Sequence, residues 1–187
     1  YGVIASVSYG LNPLFALPLY ASGIRVDSVL FYRYVFALLF LAVMMKMSGQ
    51  SFALKRNEIL PVAVMGLLFS FSSLFLFQSF NYMDAGIAST ILFMYPVLVA
   101  VIMAVFFKER LSVVKIASIA TAFVGISMLY KGEGGATLSM TGVCLVLMSS
   151  LTYALYIVGV NRSSLKEMPG LKLTFYAILF GSLVYIV

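Results

Sequence analysis

ILPVAVMGLLFSFSSLFLFQSF, residues 59–80, runs without one charged side chain. As a helix rising 1.5 Å per residue it is about 33 Å long, enough to cross the ~30 Å hydrocarbon core of a bilayer. A single run of this kind also suits a helix buried in a soluble core, so its neighbours decide the matter. Comparable stretches occupy residues 2–22, 28–45, 85–107, 113–130 and 138–160, and a seventh begins near Leu173 and reaches Val187. Six such runs in 187 residues leave no polar surface for a soluble fold. The chain reads as an all-α polytopic membrane protein.

Composition agrees. The chain is 63% hydrophobic and 10% charged, with a mean hydropathy of +1.10, where a soluble domain carries roughly 25% charged residues. The net charge is +6, but the basic residues form no aromatic-interleaved cluster, so membrane lipid and not nucleic acid is the expected partner. Cys144, the single cysteine, lies inside the sixth stretch and has no second cysteine to pair with. Histidine is absent, which removes His-based metal sites and proton relays, and no cofactor or metal is expected. Residues 2–22 are too long and too polar in the middle for a signal-peptide core, and no charged segment precedes them. With Tyr1 in place of Met, both ends read as truncations of a longer protein.

The gaps orient the stretches. Lys46, Lys55 and Arg56 follow the second, Lys108, Arg110 and Lys115 follow the fourth, and Arg162, Lys166 and Lys172 follow the sixth. The other gaps hold only Arg25 and Lys131. Lys and Arg concentrate in cytoplasmic loops, so the N-terminus and the 2–3, 4–5 and 6–7 loops are expected in the cytoplasm. The loops near 23–27, 81–84 and 131–137 are expected outside.

An internal repeat is legible. Gly2, Val3 and Leu11 align with Gly142, Val143 and Leu151, and Phe31, Tyr32 and Phe36 with Phe175, Tyr176 and Phe180, at similar offsets. A five-helix unit inverts its second copy, the organisation of secondary transporters whose site lies between two pseudo-symmetric halves. Residues 1–131 then form the first repeat, and 138–187 begin the second.

Ser79-Phe-Asn-Tyr-Met-Asp-Ala-Gly-Ile-Ala-Ser89, then Tyr95-Pro96, then Lys108-Glu-Arg-Leu-Ser112, resemble the EamA family of the drug/metabolite transporter (DMT) superfamily. The resemblance covers the whole chain, with Gly142 matching the usual start of a second repeat. It implies a ten-helix transporter with both termini cytoplasmic, of which this chain is one repeat and part of its inverted partner. It also implies movement of amino acids, other small metabolites or drugs, often outward. The motifs identify the scaffold and not the cargo, and the bacterial inner membrane is the expected location.

Arg33 is the costliest residue, roughly 9 Å of helix inside the second stretch when measured from Asp27. Two readings fit it: snorkelling to the outer interface with Tyr32 and Tyr34, or facing a wet cavity as an anchor for carboxylate or phosphate. At 100° per residue Ser70, Ser73, Gln78 and Asn81 share one arc of the third helix, with Ser72 and Ser79 opposite. Ser149, Thr152, Tyr153 and Tyr156 share one face of the sixth. Lipid satisfies no hydrogen bond, so these stripes turn toward protein or water; Ser and Thr also bond between helices or to their own backbone. Asn12, Gln78, Tyr153, Tyr156 and Tyr95 are the candidate cavity residues beside Arg33. Pro13 and Pro96 are candidate hinges, since Pro96 frees the carbonyl of Leu92, either for a ligand or for a neighbouring helix. Ser118, Thr121, Ala122 and Gly125 form a small-residue packing face.

Asp84 is placed to cap the fourth helix and Ser112 the fifth, Glu109 lies in a turn, and Glu58, Glu133 and Glu167 fall in loops. No carboxylate is embedded in a complete stretch. Transport is then uncoupled or exchange-driven, or its coupling group lies in the missing C-terminal part of the second repeat. No embedded dyad or Ser–Lys pair supports an intramembrane enzyme, and no filter segment supports a channel. The expected function is alternating-access transport of a small organic solute; a non-transporting assembly or sensor subunit is the alternative. No feature of the chain sets an oligomeric state.

Overall fold

The computed structural model describes residues 11–109, 117, 120, 121, 124 and 139–185. Tyr9, Arg110, Ser112, Lys115, Ser118, Ala122, Gly125, the 131–137 loop and the first alignment pair of the repeat, Gly2 and Val3, lie outside them. Among the described residues every regular element is a helix: α1 (Asn12–Ala21), α2 (Val26–Met47), α3 (Arg56–Ser79), α4 (Ala85–Leu92), α5 (Tyr95–Phe107), α6 (Met140–Arg162) and α7 (Gly170–Ser182), with 3-10 turns at Ser164–Glu167 and Leu183–Tyr185. Val26–Met47, Arg56–Ser79, Ala85–Phe107 and Met140–Arg162 are each long and apolar enough to cross a membrane. The described residues form an all-α membrane bundle.

Turn chemistry ends and starts the helices where the sequence calls for it. Gly23 and Gly49 have φ of 82° and 63°, the left-handed conformation in which a side chain is strained. Beyond each, a backbone N–H reaches back five residues, Ile24 to Leu19 at 3.1 Å and Gln50 to Met45 at 3.0 Å, closing α1 and α2 in Schellman fashion. Asp84 Oδ1 accepts from the N–H groups of Gly86 at 2.8 Å and Ile87 at 3.2 Å, the cap expected of it. Glu58 departs from its expected loop. It sits in the first turn of α3 and accepts the Lys55 N–H at 3.2 Å, because a carboxylate favours the positive end of a helix.

Burial is inverted relative to a soluble bundle. Phe40, Phe106 and Met140 are at least 74% exposed, while Ser70, Ser79, Ser149 and Ser150 are fully buried. Each hydroxyl is satisfied inside the protein, as a lipid-facing exterior requires. Ser72 Oγ donates to the Ser149 carbonyl at 2.9 Å and Ser149 Oγ to the Ser72 carbonyl at 2.7 Å, which clamps antiparallel α3 and α6. Ser70 Oγ donates to Tyr34 Oη at 3.2 Å, Tyr34 to Ser73 Oγ at 3.3 Å, and Ser73 to the Phe69 carbonyl at 3.2 Å. Tyr34 is therefore a core residue joining α2 to α3, not an interface anchor beside Arg33.

The basic gaps share one end of the bundle. Lys172 Nζ donates to the Ala53 carbonyl. Arg162 pairs with Glu109 at 3.5 Å and lies 4.5 Å over the Phe107 ring. At the opposite end Arg25, Asp27, Gln78 and Asn81 line one recess.

The fourth stretch is two helices. Pro96 stands in the first turn of α5 and cannot donate to Leu92. The chain passes from α4 to α5 on i→i−3 bonds, Phe93 to Thr90, Met94 to Ile91 and Val97 to Met94, at 2.9–3.1 Å. The released Leu92 carbonyl is taken by α6: Ser150 Oγ reaches it at 3.2 Å and shares its proton with the Val146 carbonyl at 2.9 Å. Ser150→Ala should cost about 1–3 kcal/mol, the penalty for a buried group left unsatisfied. Thr152→Ala loses only bonds to its own helix, at the carbonyls of Met148 and Ser149, and should cost less. Thermal midpoints of the two variants give the comparison, and equal midpoints would remove Ser150 from this role.

Candidate functional site

Hydroxyl accounting leaves tyrosines at the middle of the bundle. On α6, Ser149 is consumed by the clamp with Ser72, and Thr152 bonds back to its own backbone. Tyr153 and Tyr156, one turn apart, face α3 and α5 instead. The Tyr153 ring meets that of Tyr95 edge-on at 4.8 Å, Tyr156 at 5.9 Å and Phe69 at 6.3 Å. Phe69 lies 5.4 Å from Tyr156 and 6.4 Å from Tyr34, and Tyr34 meets Tyr185 at 4.9 Å.

The local reasons are plain. Tyr95 opens α5 at the break, so its ring is presented where the α4–α5 axis is interrupted. Phe69 and Tyr153 each stand thirteen residues along their helices, about 20 Å from the helix starts, which puts the cluster near mid-depth. Tyr95, Tyr153, Tyr156 and Phe69 are half-buried, so their rings are packed on one side and open on another. Such a wall offers flat apolar faces for stacking together with phenol oxygens that donate or accept.

The other candidates stand elsewhere. Gln78 shares an arc with Ser70 and Ser73 but lies eight residues beyond Ser70, about 12 Å further along the axis. It faces the end recess with Tyr20 and Asn81. Arg33 lies on the α1-facing side of α2, its guanidinium 5.0 Å from the Phe77 ring centroid, in an apolar groove. Described α1 begins at Asn12 with Pro13 in its first turn; the side chains of both lie outside the described residues.

Sequence reasoning missed Phe69, Tyr34 and Tyr185 as members of the aromatic wall. Phe69 is one turn before Ser72 and Ser73 on α3, and that spacing was the available signal. No group of three or more Cys, His, Asp or Glu able to hold a metal occurs among the described residues.

The profile of the EamA-like transporter family matches residues 1–131. A Bacillus subtilis protein described as an uncharacterized transporter, YxxF, is 29% identical over 131 residues, 67% of this chain and 42% of that protein. An uncharacterized transporter of Archaeoglobus fulgidus is 28% identical over 102 residues, 54% of this chain and 36% of its own length. A second Bacillus subtilis protein, the uncharacterized transporter YvbV, is 29% identical over 104 residues, 54% of this chain and 34% of its own. The matched part of the chain spans less than half the length of these curated relatives. No solved structure matches the chain.

Proposed function

We propose that this chain, which belongs to the EamA-like transporter family, supplies one wall of the solute site of a membrane transporter. The solute is a small organic metabolite, an amino acid or related compound, moved by alternating access. The observation that carries the reading is the Tyr95–Tyr153–Tyr156–Phe69 cluster beside an interrupted helix at mid-depth. Discontinuous helices at the contact between repeats are where transporters of repeat architecture hold their cargo, and α6 is the first helix of the second repeat in the sequence reading. Pro96 keeps α4 and α5 separable, so the break serves as the hinge of the rocking motion. The aromatic wall favours a flat or partly apolar solute with hydrogen-bonding groups at its edge.

A thermal-shift screen of the full-length transporter against amino acids, nucleosides and organic phosphates tests the proposal. One class should raise the midpoint with a concentration dependence set by its Kd, about 2.7 kcal/mol at a hundredfold excess over Kd. Absence of stabilisation by every class at millimolar concentration would count against it.

A further inference from the structure

A hollow of about 540 Å³ opens at the basic end, where α3 begins and α6 ends. One wall is the segment 53–58 that enters α3, and the other is the segment 163–172 that joins α6 to α7. The two walls are fastened to each other beside the hollow. Lys172 Nζ donates to the Ala53 carbonyl and Tyr176 Oη to the Phe52 carbonyl, and the rings of Phe52 and Phe175 meet edge-on at 5.7 Å.

Charge in the hollow is unbalanced: Lys55, Lys166 and Lys172 stand against Glu58 and Glu167. Glu58 is already committed, since it accepts the Lys55 N–H at 3.2 Å and lies 4.0 Å from the Lys55 ammonium. Among the described residues Lys166 and Glu167 are in no ion pair, and Lys172 gives one of its three N–H groups to Ala53. Ser164 and Asn57 add neutral donors to the same lining. Ammonium groups gathered round one hollow repel one another, and an anion placed among them reverses the sign of that interaction. Phosphate is an anion that lysine binds well. The excess is one positive charge, which matches a phosphodiester and not a monoester carrying nearly two negative charges.

Position selects the source of the phosphate. The ends of membrane-spanning helices lie at the level of the lipid headgroups, and basic pockets between such ends hold anionic headgroups. The volume lies within the range of small-molecule pockets, about 300–1,000 Å³, so it admits a headgroup while the acyl chains stay in the bilayer.

We infer that this hollow is a seat for the headgroup of an anionic phospholipid, with its phosphodiester among Lys55, Lys166 and Lys172. An occupied seat ties the segment 53–58 to the segment 163–172. The inference does not depend on the solute site proposed above.

Calorimetric titration of the full-length transporter in detergent with a short-chain phosphatidylglycerol tests it, with the matching phosphatidylcholine and inorganic phosphate as the other arms. Phosphatidylglycerol should bind saturably, at least about fivefold tighter than phosphatidylcholine. K166Q and K172Q should each weaken it about fivefold, the worth of one basic residue beside an anionic headgroup. K46Q, at the same end but outside the hollow, should leave binding unchanged. If K172Q does not accumulate, because it also releases Ala53, K166Q decides, since Lys166 has no ion pair to lose. Equal affinity for phosphatidylcholine, or unchanged binding in K166Q, would overturn the site. A loss in K46Q as large as in K166Q would overturn it in favour of a diffuse attraction to the basic end. Displacement of phosphatidylglycerol by inorganic phosphate at equal concentration would overturn the assignment to a lipid and make the hollow a seat for soluble phosphate.

Discussion

Gly181→Ala should cost about 2–3 kcal/mol, a factor approaching a hundred in the folding equilibrium. A Cβ there would stand 2.0 Å from Ser70 Oγ and 2.8 Å from the Gly66 carbonyl oxygen. The serine hydroxyl cannot step aside without releasing Tyr34, and the carbonyl is helix backbone. The same crossing is equally tight from the other helix, where a Cβ on Gly66 would stand 2.5 Å from the Ala177 carbonyl oxygen. Gly66 and Ser70 on α3 thus meet Ala177 and Gly181 on α7, two parallel small-xxx-small pairs. In lipid the apolar exterior gives helices no reason to associate, so close backbone approach at such pairs carries the contact. Tyr185 adds to it by donating to the Ser70 carbonyl at 2.7 Å. Gly159→Ala is the control. Its Cβ would meet only the flexible end of Met65, at 2.4 Å from Sδ, and should cost under about 1 kcal/mol as the thioether swings away. The measurement is the thermal midpoint and yield of each variant in detergent. Equal losses at Gly181 and Gly159 would remove the special role of the α3–α7 crossing.

Tyr153→Ala should lower solute flux per folded molecule at least tenfold. Its ring touches Tyr95, Tyr156 and Phe69, and aromatic pairs contribute about 0.5–1.5 kcal/mol each beyond burial. Truncation therefore loosens the whole wall as well as removing one stacking face. Tyr153→Phe separates the two effects. It keeps the ring and the fold, and loses affinity only by the worth of one hydrogen bond, about 0.5–1.5 kcal/mol or up to roughly tenfold. Uptake or efflux of the solute identified by the thermal screen, normalised to folded protein, gives the answer. Full flux per molecule in Tyr153→Ala would move the solute site away from this cluster.

Where the spans fall on described residues, their boundaries were legible to within a few residues, and the misses have a cause. The stretch 59–80 is the helix Arg56–Ser79, and 28–45 is Val26–Met47. Hydropathy cannot register the polar turn of Arg56, Asn57 and Glu58, which is helical but apolar nowhere. The interruption of the fourth stretch was legible as Pro96. Its location one turn earlier, at Phe93 and Met94, follows because the bond that proline lacks would have ended on Leu92, four residues back.

Candidate site residues were legible only in azimuth. A spacing of three keeps Tyr153 and Tyr156 on one face, and both rings lie against Phe69. Ser70, Ser73 and Gln78 share a face of α3, and Asn81 lies in the turn just past its end, yet the first two belong to the mid-depth core and the last two to an end recess. An angle of 100° per residue says nothing about depth, and the eight residues from Ser70 to Gln78 are about 12 Å. Tyr34, adjacent to Arg33 in the chain, was indistinguishable from an interface anchor until Phe69 and Tyr185 were seen against it.

The sequence alone determined that the chain crosses a membrane as helices, where those helices run, and which gaps carry the positive charge. Transfer into lipid depends on residue type and run length, and both are local. Only the tertiary structure decided that Ser150 answers the carbonyl freed by Pro96, that Gly66 and Gly181 hold α7 to α3, and that three tyrosines meet Phe69 while Arg33 stands apart. An apolar or small side chain in a membrane helix has no solvent preference that tells lipid from neighbour, so facing is settled by shape and by hydrogen bonds between helices distant in the chain.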